Sequence, residues 1–223
     1  MIFISALPVI AAFLWFRYRR FPVRVYWFLF CLLAGALSPL LAAVVQRFIP
    51  PANGIEMKDI LFNVFIRIAL AEEGGKLLIL LALLRLFDLF DLFNLFNNVV
   101  KPERLGGAAR GGSFERGAAA GFIAGLGFAL IESASYGASD MRIAVLRAFT
   151  AAPLHGACGA RDGDAASLLK SSPRLALWRF LSAVMIHGTY NILVVSPGYI
   201  RFFSLVVSFV SLLSATRLLY RKE

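Results

Sequence analysis

The sequence predicts an all-α membrane protein, built as a polytopic bundle of about seven transmembrane helices. Hydrophobic residues make up 60% of the 223 residues and charged residues only 16%, and the mean hydropathy is +0.77, far from the balance of a soluble domain. Several apolar runs reach the length of roughly 20 residues that a helix needs to cross a bilayer. Basic residues collect in alternate connections between those runs. We therefore expect one transmembrane domain over residues 1–223.

The first three predicted spans are residues 1–16, 25–48 and about 59–85. Charges follow the first span, whereas a signal peptide carries them before its apolar region, so we interpret it as a retained span. The second span ends before Pro50-Pro51, where a helix cannot continue. The third carries the stretch Glu72-Glu73-Gly74-Gly75-Lys76 near its centre. Ionisable groups at that depth are costly and usually functional.

The character of the chain changes after the third span. Residues 86–97 repeat Leu-Phe-Asp or Leu-Phe-Asn, and a three-residue period drifts around a helix of 3.6 residues per turn. We interpret this run as a low-complexity linker in a loop, with an interfacial segment and an extension of the third helix as the alternatives. The Gly- and Arg-rich residues 101–116 are interpreted as a loop.

Four more spans are predicted at about 114–136, 141–160, 178–195 and 199–219. The first of these is rich in Gly and Ala, and small residues let helices approach closely, so we expect it inside the bundle. Residues 161–179 are expected to form a loop, and Ser196-Pro197-Gly198 a tight turn. Two cysteines, Cys31 and Cys158, fall within spans, which argues against a disulfide framework.

The distribution of basic residues predicts an orientation. The loops after the first, third and fifth spans, with the C-terminus, hold 16 Lys and Arg, against four on the other side. The positive-inside rule then places the N-terminus outside and the C-terminus in the cytoplasm. These loops also account for the formal net charge of +10, so the expected surroundings are a lipid bilayer and no nucleic acid.

Away from their ends, the predicted spans contain eight acidic, basic or histidine residues, which include both histidines of the chain: Arg67, Glu72, Glu73, Lys76, Glu132, Arg147, His155 and His187. Glu72 and Lys76 are four residues apart and share a helix face, whereas Glu73 is turned by about 100° from Glu72. We therefore expect one acid to reach a reaction centre and the other to pair with Lys76 or Arg67.

Each of these groups alone has a structural explanation, such as an internal salt bridge, or hydrogen bonding between helices for His187 and Asn191. Together, two imidazoles and several carboxylates on interior helices are the ligand set of a metal site or an acid–base centre. Both support hydrolysis. A divalent ion can acidify a water molecule, or a carboxylate can activate water directly. The sequence does not decide between these two versions.

Four motifs follow one another on successive apolar segments: Glu72-Glu73-x-x-Lys76, then Gly125-x-Gly127-Phe128-x-x-x-Glu132 with Tyr136, then Pro153-x-His155, and finally His187-Gly188-x-x-Asn191. In this order they resemble the PrsW family of intramembrane proteases, which is similar to the wider group that contains the CAAX prenyl proteases. The resemblance covers about residues 59–191, the motif-bearing core of the chain.

The resemblance implies an intramembrane endopeptidase of the bacterial inner membrane, with its active site inside the bundle, that cleaves a membrane-anchored protein such as an anti-sigma factor. It implies six catalytic residues: Glu72, Glu73, Glu132, His155, His187 and Asn191. Lys76 and Phe128 are expected to support them. If a divalent metal such as Zn takes part, the expected ligands are Glu132, His155 and His187. Ser133 stands where the family usually has Asn, so one side-chain hydrogen bond is expected to be missing or replaced.

Two other classes of protein use the same residue types. A proton-coupled transporter carries Glu, His and Lys on its spans, and a non-catalytic scaffold can retain the fold. Transporters often contain internal repeats, and the two halves of this sequence show no convincing repeat. The scaffold predicts that Glu72→Ala, Glu73→Ala and His187→Ala variants keep full function in cells.

Overall fold

The computed structural model describes residues 2–19, 25–97, 113–137 and 140–220, and every regular element within them is helical. In chain order the elements are α1 (Ile2–Tyr18), α2 (Val25–Phe48), α3 (Met57–Leu61), a π-helical segment (Phe62–Leu70), α4 (Ala71–Asn97), α5 (Ser113–Gly137), α6 (Met141–Phe149), α7 (Ala151–Leu168), α8 (Pro173–Val195), a 3₁₀ turn (Gly198–Phe202) and α9 (Phe203–Leu219). The predicted all-α class is confirmed for this part of the chain.

Within the described ranges, three helices are long and apolar enough to cross a membrane: Val25–Phe48, Gly117–Tyr136 and Gly198–Leu219. Helices α6 and α7 meet at a bend of 41° and add a fourth crossing if they form one broken span. These helices indicate an integral membrane protein. The predicted number of seven crossings is not confirmed, because α1 is shorter than a full span and because α4 and α8, which carry polar motif residues, do not meet the same criterion.

Helix α5 is the most enclosed of the three, with 78% of its spanning window buried, against 28% for α2 and 33% for the C-terminal span. Helix α7 packs directly against its glycines. A Cβ on Gly121 would lie 1.9 Å from the backbone oxygen of Gly159, and one on Gly125 would lie 2.0 Å from that of His155. The predicted interior helix is confirmed, and its close contact with α7 brings His155 next to α5.

Two predicted loops are helical instead. Helix α4 continues to Asn97, so residues 86–97 extend the third predicted span and the linker interpretation was wrong. The run contains no Gly or Pro that would interrupt a helix. Residues 113–116 belong to α5, and the rest of the predicted loop at 101–116 lies outside the described residues.

The predicted loop at 161–179 was also wrong at both ends, because α7 continues to Leu168 and α8 begins at Pro173. Small residues let this part of α7 lie against α5: a Cβ on Gly163 would be 1.9 Å from the backbone oxygen of Gly117. Two arginines of the segment have partners within the bundle. Arg161 donates to Ser214 Oγ on α9, and Arg179 Nε lies 2.8 Å from Asp164 Oδ2.

The predicted span at 141–160 is broken at Thr150, between α6 and α7. The Thr150 hydroxyl donates to the backbone oxygen of Leu146 (2.9 Å) and lies 2.8 Å from the Tyr190 hydroxyl of α8. Ser208 of α9 donates to the backbone oxygen of Thr150 over 2.6 Å. Helices α8 and α9 therefore hold the break in place, and α7 begins only four residues before His155.

The π-helical segment leads directly into the acidic stretch of α4. The side-chain amide of Asn63 exchanges two hydrogen bonds with the backbone of Ala52, at 3.0 and 2.9 Å. Arg67 Nε donates to the backbone oxygen of Ile49 over 3.1 Å. Segments of π-helix are rare in proteins, and those that occur often lie at functional sites. The position of this segment just before Glu72 therefore indicates a functional site in this part of the bundle.

Candidate active site

The four motifs converge in the interior of the bundle, on α4, α5, α7 and α8. Glu73, Lys76, His155 and His187 are all almost completely buried. The side chains of Glu72 and Glu132 keep 13% and 20% of their surface exposed, so the cluster is accessible at these two acids.

Glu73 is at the centre of this cluster. Lys76 Nζ donates to Glu73 Oε1 over 2.6 Å, and the same oxygen contacts Nδ1 of His187. The other ring nitrogen of His187, Nε2, lies 3.6 Å from Oε2 of Glu72. The His187 imidazole is therefore placed between the two neighbouring acids, with one nitrogen towards each.

One of the two neighbouring acids was expected to pair with Lys76 or Arg67, and the structure pairs Glu73 with Lys76. Lys76 bonds to Glu73, three residues earlier, and Glu73 is not turned away from it, because residues i and i+3 are neighbours on a helix as residues i and i+4 are. Arg67 was expected to be available to the acids, but its guanidinium donates to the backbone oxygen of Ile49.

The His155 ring has a partner at both nitrogens. Nδ1 lies 3.4 Å from Lys76 Nζ, and Nε2 lies 2.7 Å from Glu132 Oε2. An ammonium group can only donate, so Nδ1 acts as the acceptor and Nε2 carries the proton that is donated to Glu132. The ring of Phe128 covers this pair, with its centroid 4.8 Å from that of His155 and 4.6 Å from Lys76 Nζ.

Arg147 encloses the Glu132 end of the cluster. Its guanidinium contacts Glu132 Oε2 and lies 4.6 Å from the ring centroid of Tyr136. Its Nε donates to Ser133 Oγ over 3.4 Å. The serine in the place of the usual asparagine thus makes a side-chain hydrogen bond, and Arg147 pairs with an acid.

Three of these side chains form a group that fits a metal ion. One donor atom each from Glu73, His155 and His187 lies within 4.8 Å of the others, and all three residues are buried. Two imidazoles and a carboxylate, with a further position left for water, are a donor set of catalytic zinc sites. Oε2 of Glu73 accepts no hydrogen bond from the described residues, so this oxygen retains its lone pairs for a cation.

Glu132 was predicted as the carboxylate of that ligand set, and the structure groups the two histidines with Glu73 instead. Glu132 accepts from His155 Nε2, which is the position of a carboxylate that orients a metal-binding histidine. Its role as a ligand stays a prediction. So does the catalytic role of Asn191, which is half-buried one turn after His187 and is joined to the cluster by no hydrogen bond in the described part of the chain.

Asp162 is a further acid of the cluster that the sequence assigned to a loop. It lies on α7, is 0% exposed, and its carboxyl faces that of Glu73. The signal that finds it is spacing, because Asp162 follows His155 by seven residues, about two helical turns, and so shares its face. The spacing was not used because the predicted span ended at residue 160, before Asp162.

An all-α membrane protein whose interior joins carboxylates to imidazoles in this way has the features of a membrane-embedded hydrolase. The family model of the PrsW family intramembrane metalloproteases matches residues 22–216, which include all four motifs, and the chain belongs to that family. The protein is therefore a transmembrane protease. Comparison with curated proteins gave no match, and neither did comparison with solved structures.

Proposed function

We propose that the protein is an intramembrane endopeptidase that cleaves a membrane-anchored protein with water activated between carboxylates and imidazoles. The observation that carries the proposal is the His187 ring placed between Glu72 and Glu73, with one nitrogen towards each acid. Two acids joined through one imidazole can take on different tasks, one moving a proton and the other keeping the ring in position.

Glu72 is the proposed general base. It is the more accessible acid of the pair, and its Oε2 accepts no hydrogen bond from the described residues. As the water oxygen bonds to the carbonyl carbon of the scissile peptide, Glu72 receives the water proton. It then gives that proton to the leaving nitrogen as the carbon–nitrogen bond breaks. Glu73, whose Oε1 contacts Nδ1 of His187, fixes the His187 ring during both steps.

The opposite side of the cluster is proposed to stabilise the negative oxygen that forms on the substrate. Arg147 is the half-buried cation there, and it pairs with Glu132, which also accepts from His155. Fixed donors and charges that face a developing oxyanion are among the largest contributions to catalysis. Phe128 covers the buried side of the centre, and Asn191 is proposed to support His187 from the next turn of α8.

A divalent metal such as Zn fits the donors of Glu73, His155 and His187, and the family description is that of a metalloprotease. When bound, such an ion supplies Lewis acidity and makes a water molecule a stronger acid. We propose these three residues as its holders, with Glu132 as the partner that orients His155. Glu132 also takes the position at which the CAAX prenyl proteases have a histidine, and a relation to that group is part of the proposal.

The proposed setting is the bacterial inner membrane, with the N-terminus outside, the C-terminus in the cytoplasm and residues 1–223 as one domain. The loop charges support this orientation. Removing the buried Arg161 from the 16 basic residues of the cytoplasmic side leaves 15, still well above the four on the other side. The proposed substrate is a single-span protein of the anti-sigma-factor type.

The test is cleavage of such a substrate by the purified protein in lipid vesicles, with and without a chelator. Glu72→Gln is expected to reduce the rate by about 10²–10⁴-fold, the usual contribution of a general base. Glu73→Gln and His155→Ala are expected to reduce it as well. Glu56→Gln is the matched control, because Glu56 is an exposed acid that pairs with Lys58 at 2.9 Å, whereas the acids of the cluster are mostly buried.

Three outcomes would contradict parts of the proposal. A wild-type protein that cleaves no anchored substrate contradicts the peptidase assignment of the site. Cleavage that resists the chelator and needs no added metal contradicts the metal-assisted version and leaves the carboxylate version. Full activity of the Glu72→Gln variant contradicts the role of Glu72 as base.

A further inference from the structure

Asp162 is a buried acid that the proposed mechanism does not use. It is 0% exposed, and neither of its carboxyl oxygens accepts a hydrogen bond from a donor of the described residues. A buried carboxylate without such donors is costly, since burial removes its hydration and nothing replaces it. A residue of this kind in the interior of an active centre calls for a functional explanation.

The surroundings of Asp162 indicate what that explanation is. The group that faces it is the carboxyl of Glu73, and the nearby cation of the centre is the Lys76 ammonium. Arg161, the adjacent residue, instead donates to the backbone oxygen of Ala157 and to Ser214 on α9. One ammonium group therefore lies near two acids and is bonded to only one of them, Glu73.

We propose that Asp162 is the second partner of Lys76, a positioning residue to which the ammonium moves when Glu73 acts in the reaction. Glu73 Oε1 accepts from Lys76 and also contacts His187, so in the resting arrangement this oxygen is occupied. The Lys76 ammonium also faces His155 Nδ1, the ring nitrogen with the lone pair, so a cation held between Glu73 and His155 requires the ammonium to withdraw. A lysine side chain can rotate between two acids, and Asp162 keeps its charge neutralised after the move.

The proposed movement also explains why Lys76 lies where it does. Its Nζ is beside Glu73 Oε1 and His155 Nδ1, two of the three residues that form the metal-binding group. The ammonium thus serves as the cation of the resting centre. The inference rests on the proposed function, because it assumes that Glu73 takes part in catalysis.

The test compares Asp162→Asn with Asp164→Asn in the full-length protein. Both changes convert a buried acid of α7 to its amide, and the two positions are two residues apart. Asp164 is paired with Arg179 and lies outside the site, so its substitution removes an ion pair. The three measurements are the melting temperature without metal, the affinity for Co²⁺ from its absorption spectrum, and kcat and KM with the single-span substrate.

For Asp162→Asn we expect a melting temperature that is unchanged or raised by about 2–4 °C, because a buried acid that faces another acid is replaced by an amide that can donate to Glu73. We expect kcat and Co²⁺ affinity to fall about tenfold or more, with KM unchanged, since Lys76 has lost its second partner. Asp164→Asn should show the reverse: a lower melting temperature, with Co²⁺ affinity retained.

The inference is overturned if Asp162→Asn keeps wild-type kcat and Co²⁺ affinity, or if its activity falls only in proportion to a lower stability. Failure of the proposed function is a separate result. If the wild type binds Co²⁺ but cleaves nothing, the Co²⁺ affinity of Asp162→Asn decides the inference. If the wild type cleaves without binding Co²⁺, kcat decides it. A wild type that does neither overturns both proposals.

Discussion

The Nε2 atom of His155 lies 2.7 Å from Oε2 of Glu132, and this contact fixes which ring nitrogen is free to act. With the proton at Nε2, the lone pair of Nδ1 points to Lys76 Nζ, 3.4 Å away. The cation side and the carboxylate side of the ring are thus distinct. Histidines that bind metals are held in the same way, with the second nitrogen donating to a carboxylate.

Replacement of Glu132 by Ala is expected to reduce substrate cleavage by about 10–100-fold, because His155 loses its acceptor and Arg147 its anionic partner. Glu132→Gln retains a carbonyl oxygen for the Nε2 proton and is expected to lose less activity. Cleavage rates in lipid vesicles measure the difference, with circular dichroism as the check on folding. Equal losses in the two variants would show that the charge of Glu132 matters and its hydrogen bond does not.

The two neighbouring acids are expected to differ in their effect on stability. Glu73→Gln leaves the buried Lys76 ammonium without its bonded carboxylate, and breaking a buried ion pair costs about 3–5 kcal/mol. For a chain of this size that lowers the melting temperature by roughly 6–20 °C. Oε2 of Glu72 lies 3.6 Å from Nε2 of His187, which is longer than a hydrogen bond, and the Glu72 side chain is partly exposed. Glu72→Gln should therefore remove activity with little loss of stability.

Thermal unfolding in detergent, followed for both variants beside the wild type, measures this difference. A Glu72→Gln protein that unfolds at as low a temperature as Glu73→Gln contradicts the division between a reacting acid and a structural one.

Gly125→Ala is expected to separate α5 from α7 at the active site. The added Cβ would lie 2.0 Å from the backbone oxygen of His155, and overpacking of this kind costs about 1–3 kcal/mol. Because the strain falls on His155 itself, cleavage should fall along with the melting temperature. Gly74→Ala is the matched control. Nothing lies within 4 Å of its Cβ, so it should raise stability by about 0.5–1 kcal/mol.

Unfolding temperatures and cleavage rates of this pair provide the measurement. A Gly125→Ala protein with wild-type stability would show that the two helices are not as close as the packing of their backbones indicates.

Tyr190→Phe removes the hydroxyl that meets Thr150 at 2.8 Å, where α6 ends and α7 begins. Hydrogen bonds between helices in membranes contribute about 0.6 kcal/mol on average and up to about 1.7 kcal/mol. The melting temperature should therefore fall by roughly 1–7 °C. Cleavage should fall by more than the loss of stability explains. The Tyr190 contact holds the end of α6, and α6 positions Arg147 beside Glu132. An unchanged cleavage rate per folded molecule would show that Ser208 alone holds the break.

The fold could be predicted from the sequence wherever apolar runs have clear ends. The second span, 25–48, coincides with α2, and the glycines of the fourth span correctly indicated an enclosed helix. The ends were wrong where polar residues continue a helix in the interior, as at Arg161 and Asp162 on α7. Hydropathy measures the average environment of a segment, and it cannot distinguish a charge in a loop from a charge with a partner inside a bundle.

The site could be predicted as a set of residues but not as an arrangement. Motif order brought Glu132, His155 and His187 together, although straight spans over 114–136 and 141–160 put Glu132 much nearer the outer end of its span than His155. The bend at Thr150 accounts for part of this disagreement, because His155 lies just after the start of a new helix. Which acid pairs with Lys76 depends on rotation within one turn, and only the structure shows that it is Glu73.

The ion pair of Glu73 with Lys76 also bears on how the protein is made. Lys76 follows Glu73 by three residues, whereas His187, the other contact of Glu73, is synthesised 114 residues after it. Helix α4 must therefore leave the ribosome and enter lipid before α7 and α8 exist. A single charge at the centre of a helix costs about 2.5–3.5 kcal/mol during insertion, and the local pair offsets part of that cost within α4 itself. Lys76 thus assists the insertion of α4 into the membrane before Lys76 has any part in the chemistry of the site.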